Sequence, residues 1–188
     1  MKKYLLLVLL TMCSCGYTRV RNLTLYDKFK LTKNELRIDG YYYREYTEYY
    51  SAEKRKVTYR VPIFLYADGT SANYTSTVFS DYKRLEEYAK TTRWAEWGAY
   101  NIVDDSIKIQ TLDKVDKSDF PPSYYDVVTW EGIVLNDSTF NITRELRPGV
   151  YSSKKKIRPV NMLYMFHRTD TKVDSIHNWT RSELNKRR

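Results

Sequence analysis

The feature that most constrains this chain is a strict two-residue alternation of side-chain character, interrupted at intervals by turn residues. Val57, Tyr59, Val61, Ile63 and Leu65 alternate with Thr58, Arg60, Pro62, Phe64 and Tyr66, and side chains on a strand point to opposite faces with that period. One face is wholly apolar and the other mixed, the pattern of a strand buried on one side. Asp68 and Gly69 follow, residues that reverse a chain at low steric cost. They predict a second strand from about Thr70 to Phe79. Pro62 lacks an amide donor, which places it at a sheet edge or a bulge.

The motif recurs. Gly98 to Val103 leads into Asp104, Asp105 and Ser106, after which Ile107, Ile109 and Thr111 share one face and Lys108 and Gln110 the other. Tyr125 to Leu135 turns at Asn136, Asp137 and Ser138 and returns from Thr139 to Leu146, and Asn161 to Arg168 forms a last strand. One short helix is expected at residues 80–92: Ser80 can cap its start, and Tyr82, Leu85, Tyr88 and Ala89 recur at helical spacing. It would lie on one end or face of a sheet, or plug a barrel mouth. About eight strands joined to their sequential neighbours by short turns predict a mainly β chain, an antiparallel up-and-down meander. Closure into a lipocalin-like barrel removes the sheet edges; an open β-sandwich is the runner-up.

The N-terminus follows different rules. Lys2 and Lys3 precede an apolar run from Leu5 to Leu10 and then small, polar residues, the order of parts in a secretory signal. The run is far shorter than the roughly 20 apolar residues of a membrane-spanning helix, so residues 1–14 are expected to be a cleaved signal peptide. Ser14, Cys15 and Gly16 resemble the lipobox of bacterial lipoproteins, in which a small residue precedes the cysteine that receives the lipid. Met12 departs from the pattern, where Leu is usual. The resemblance implies lipid attachment at Cys15, a lipidated tether over residues 15–35, and a single β domain over residues 36–188. Gly16 and Tyr17 follow without an acidic run; by resemblance to sorting signals, this implies a lipid anchor in the cell envelope, at the outer membrane and facing the periplasm.

Both cysteines, Cys13 and Cys15, fall in this segment. The β domain therefore has no disulfide, no thiolate metal site and no cysteine nucleophile. Lysine and arginine together number 32 against 23 acidic residues, a formal charge of +9, enough to raise the question of nucleic acid or an anionic surface. The basic residues are dispersed, with dense runs only at Lys154 to Arg158 and Lys186 to Arg188. That distribution fits a solvated loop and tail, and no nucleic-acid partner is expected.

A search for catalytic chemistry returns little. His167 and His177 stand apart, and no HExxH, GxSxG, phosphate-loop or GxGxxG pattern occurs. Glu45, Glu48, Asp126 and Glu131 are carboxylates on predicted strands, but nothing in their spacing sets two of them across a cleft. No catalytic residue, metal ligand or cofactor is expected.

The aromatic residues carry more information. Tyrosine occurs 19 times, and Tyr41, Tyr42, Tyr43, Tyr46, Tyr49 and Tyr50 are clustered. On a strand Tyr42, Tyr46 and Tyr50 share a face, and such rings suit the wall of a pocket for an apolar or sugar ligand. The alternative is that half the rings fill a core and the rest shield the sheet. Trp94, Trp97, Trp130 and Trp179 are open to the same two readings, and Trp97, at a strand start, is expected to close one end of the core.

Leu36, Arg37, Ile38, Asp39, Gly40, Tyr41, Tyr42 and Tyr43, then Phe64, Leu65 and Tyr66 with Asp68, Gly69 and Thr70, resemble a pattern in small lipoproteins of Bacteroidetes. Trp97, Gly98, Tyr100 and Ile102 before Ile107, and Gly132 with Asp137, Thr139 and Phe140, extend the likeness over most of residues 36–179. These are turns and strand starts, and they imply no activity. Such bacteria O-glycosylate exported proteins at Asp, Ser or Thr, then an aliphatic residue or Thr, which makes Ser106, Ser138 and Ser175 candidate sites. The same residues also simply make good turns.

Two functions from different classes follow as expectations. One is a non-catalytic binding module for a small apolar, lipid-like or glycan ligand, held to the membrane by its N-terminal lipid. The other is a structural or interaction protein of the envelope with a solid core, in which Lys154 to Arg158 meets acidic lipid or polysaccharide. An enzyme would need a carboxylate pair. The sequence carries no signal for an oligomeric state.

Overall fold

A computed structural model describes residues 36–74, 79, 81–91, 96–114, 125–149 and 152–173. Cys15, the tether, Ser80, Trp94, Ser175 and Trp179 lie outside them. The elements are β1 (Gly40–Tyr50), β2 (Arg55–Leu65), β3 (Thr70–Asn73), α1 (Tyr82–Thr91), β4 (Glu96–Val103), β5 (Ser106–Lys114), β6 (Tyr125–Asn136), β7 (Thr139–Gly149) and β8 (Ser152–Arg168). Each strand pairs antiparallel with the next, and β8 returns to β1, with Gly40 to Tyr43 opposite Arg168 to Met165. The meander is thus a closed barrel and not an open sandwich. Closure gives the backbone groups of β1 and β8 the partners that an open edge would leave to solvent or another chain.

The alternation of the sequence sorts itself onto the two faces of this wall. Tyr42 lies opposite Ile63 and Phe166, Tyr100 opposite Ile109, Ile109 opposite Trp130, and Phe140 opposite Tyr164. These residues point inward and, with Leu36, Leu65, Ile102, Ile107 and Ile142, form a packed core. The core fills the end of the barrel that carries the β4–β5 and β6–β7 turns. Asp104 adopts a positive φ of 52° in the first of these turns, and Asp105 O accepts from Val134 N at 2.7 Å. Gly69, at φ 80°, supplies the left-handed residue of the β2–β3 turn, a conformation that side chains disfavour.

The mixed outer face of β1 to β4 is also covered. Tyr41, Phe64, Tyr74, Phe79 and Trp97 bury against Leu85 and Ala89 of α1 and against Val173. The helix therefore lies on the outside of the wall, over β8, β1 and β2, and does not plug the mouth. Its N-cap is Asp81, whose Oδ1 accepts from Arg84 N at 2.8 Å, where Ser80 was expected. Trp97 belongs to this outer cluster, contrary to its expected place at the end of the barrel core. The reason is register: Gly98, opposite Thr111 and Ser71, takes the inward position.

Three further expectations need revision. The strand after the Asp68–Gly69 turn ends at Asn73, and Phe79 returns only as an isolated bridge to Arg60. Lys154 to Arg158 is not a loop, because β8 begins at Ser152. Pro62 pairs with Tyr43 in a closed barrel, but pairing with β3 starts only at Ile63. Its missing donor falls in the gap between the Ile63–Asn73 pair and the Arg60–Phe79 bridge, so no ladder bond is lost.

Candidate ligand cavity in the barrel

Beyond the packed core the described residues leave part of the interior unfilled. A partly open cavity of about 430 Å³ lies between the short strands on one side and the long β7–β8 hairpin on the other. Val128, Trp130, Val160 and Met162 give it an apolar wall shared with the core. Arg44, Glu145, Arg147 and Arg158 provide charge on β1, β7 and β8, and Glu96 and Thr111 face them from β4 and β5. Alternation makes this set: Arg44 follows Tyr42 on the inward face of β1, and Glu145 lies opposite both Trp130 and Arg158.

The charges are arranged unequally. Glu145, with only 7% of its side chain exposed, accepts from Arg147 Nε at 2.7 Å and lies 3.8 Å from Arg158 Nη1. Arg44 forms no ion pair with a described residue. Its guanidinium lies 5.6 Å from the centre of the Tyr46 ring. Burial pushes the Tyr164 hydroxyl upward in pKa, and the Arg44 charge opposes that shift. Trp130 Nε1 is buried without a hydrogen-bond partner among the described residues, as are Ser71 Oγ and both polar atoms of the Asn73 amide. Register places Ser71 and Asn73 on the inward face beside Gly98 and Glu96.

The tyrosines singled out in the sequence share the inward face of β1, opposite Ile63, Tyr59 and Arg55, but none of the three is among the cavity-lining residues. Tyr42 lies in the core and donates its hydroxyl to Asp137 O at 2.8 Å. Tyr46 packs on Tyr59 with ring centres 5.5 Å apart. The Tyr50 and Tyr59 hydroxyls are 2.5 Å apart near the tip of the β1–β2 hairpin. The residue on that strand that reaches the cavity is Arg44, and reading β1 as a row of rings passed over it. Its signal in the sequence is a cation at an inward position between two aromatics.

Ser106 is exposed at the start of β5. Ser138 lies in the β6–β7 turn, where its hydroxyl donates to Asp137 Oδ1 at 2.6 Å and its amide to Asn136 Oδ1 at 2.9 Å. The carboxylates on the strands are engaged elsewhere. Glu45 pairs with Arg60 at 2.8 Å, Glu131 with Lys108 and Arg144 at 2.8 Å each, and Glu48 accepts from Tyr50 at 3.0 Å. His167 stacks on Tyr82 of α1, 4.3 Å between ring centres and 4° from parallel, which makes it part of the helix contact. Among the described residues no three potential metal ligands come together.

Fold and site together define an eight-stranded barrel, packed at one end and lined toward the other by the described residues of the cavity. No protein-family model, curated protein or solved structure matches the chain.

Proposed function

We propose that this chain is a lipid-anchored envelope protein whose barrel binds a small ligand in the cavity, without catalysing a reaction on it. The observation that carries the reading is the 430 Å³ cavity above a packed core, within the range of about 300–1,000 Å³ typical of small-molecule sites. Its lining supports the reading: an apolar wall to desolvate a ligand body, and a few polar groups to orient it. Tyr46 and Tyr50 stand beyond the cavity on the β1–β2 hairpin and extend the aromatic surface that an amphipathic or glycan ligand would pass. The anchor is lipid on Cys15, with the domain facing the periplasm from the outer membrane. No helix among the described residues is long and apolar enough to cross a membrane.

Two measurements test this. A neutral naphthylamine dye should gain fluorescence on the full-length protein, and Val160→Trp, which fills the cavity, should abolish the gain while the circular dichroism stays unchanged. Absence of dye binding to the unmodified protein sinks the binding reading. Labelling with radioactive fatty acid should mark the protein and be lost in Cys15→Ser; label that survives this change removes the anchor assignment.

A further inference from the structure

We infer that the ligand of this cavity is a small amphipathic carboxylate whose acid group docks on Arg44 and whose apolar body lies against Val128, Val160 and Met162. The inference rests on the reading of the cavity as a ligand site and deepens it. Arg44 is half-buried, lines the cavity and makes no ion pair with a described residue, although a guanidinium has five donors. Taking a cation out of water without a counter-charge is costly, and an anionic ligand removes that cost.

Glu145 pairs with Arg147 and Arg158, whereas Arg44 lines the cavity with no ion pair to a described residue. A neutral sugar or alcohol would leave Arg44 unneutralised. A hydrophilic anion such as acetate would leave the apolar wall uncovered.

Calorimetric titration of the full-length protein with decanoate and decanol, and with glucuronate and glucose, tests the inference and separates a lipid-like from a glycan source of the carboxylate. In at least one pair the acid should bind about tenfold or more tightly than its neutral partner, the range expected for one charge-assisted contact. Arg44→Gln should erase that preference, Arg44→Lys should keep part of it, and Glu145→Gln should strengthen anion binding by releasing Arg147 and Arg158. Equal binding of acid and neutral partner in both pairs overturns the inference, even where the neutral dye still binds and the cavity reading stands. A preference that survives Arg44→Gln overturns the assignment to Arg44.

Discussion

The Tyr42 hydroxyl donates to the Asp137 carbonyl at 2.8 Å, joining strand β1 to a turn 95 residues away. Arg37 N donates to the same oxygen at 3.0 Å, so three segments meet at the packed end of the barrel. Tyr42→Phe removes one donor, keeps the ring against Phe140 and Phe166, and leaves the carbonyl one partner. The expected loss is about 1 kcal/mol, read as a shift in the denaturant midpoint with unchanged slope. Binding in the cavity should be unaffected, because Tyr42 is core and not lining; a loss of affinity without loss of stability would contradict that placement.

The helix is held to the wall by few residues, and Leu85, 1% exposed, is the most buried of them. Tyr82 adds its stack on His167, and Arg60 lies 4.4 Å from the centre of the Tyr82 ring. Truncation by Leu85→Ala should cost about 2–5 kcal/mol, the usual range for a buried leucine. The exposed neighbour Lys83→Ala should change stability by no more than about 0.5 kcal/mol. Limited proteolysis should cut the first variant within residues 81–91 sooner than the second, and equal cleavage rates would show that α1 does not depend on this contact.

Stability should fall at alkaline pH. Burial raises the pKa of the Tyr41, Tyr42 and Tyr74 hydroxyls well above the ordinary tyrosine value, and pushes Tyr43 up to about 12. Below about pH 10, the value for an unfolded tyrosine, both states keep these protons and the contribution is whole. Above it the unfolded chain releases protons that the folded chain retains, so each further rise in pH favours unfolding. Lys172, lowered in pKa by burial from 10.5, acts in the opposite sense as pH rises toward that value, one group against these several tyrosines. Tyrosinate absorbance followed together with circular dichroism should show these rings ionising as the barrel unfolds. Their ionisation in an intact barrel near pH 10 would refute the assignment.

The O-glycan proposal can now be ordered by site. Ser106 is exposed at the start of β5, whereas the Ser138 hydroxyl is committed to Asp137 at 2.6 Å in a turn that also receives Phe166 N on its carbonyl at 2.8 Å. Modification needs an accessible hydroxyl. Peptide mass spectrometry of protein from the native envelope should therefore find more hexose on the peptide holding Asp105, Ser106 and Ile107 than on the one holding Asp137 and Ser138. Unmodified masses for both would remove these two sites.

Most of the barrel was legible because the inward and outward faces of a strand must alternate, and the chain writes that alternation in Val57 to Leu65 and again in Ile107 to Thr111. The hairpins followed from Asp68 with Gly69, from Asp104 with Asp105, and from Asn136 with Asp137. The candidate site was less legible. Reading β1 for its tyrosines found the correct face, but the residue that faces the cavity is Arg44, and a single arginine in a strand reads as surface charge until its neighbours are known. Trp97 misled for a related reason: periodicity says that Trp97 and Gly98 point apart, not which of them points inward.

The sequence by itself determined the alternation, the turns and the absence of any cysteine from the β domain, because these depend on local sterics and on residue identity. Only the tertiary structure decided that β8 closes onto β1, that α1 covers the outer wall, and that Arg44, Trp130 and Glu145 meet around an unfilled space. Those three residues come from β1, β6 and β7, and their approach depends on strand register and barrel closure, which no spacing along the chain encodes.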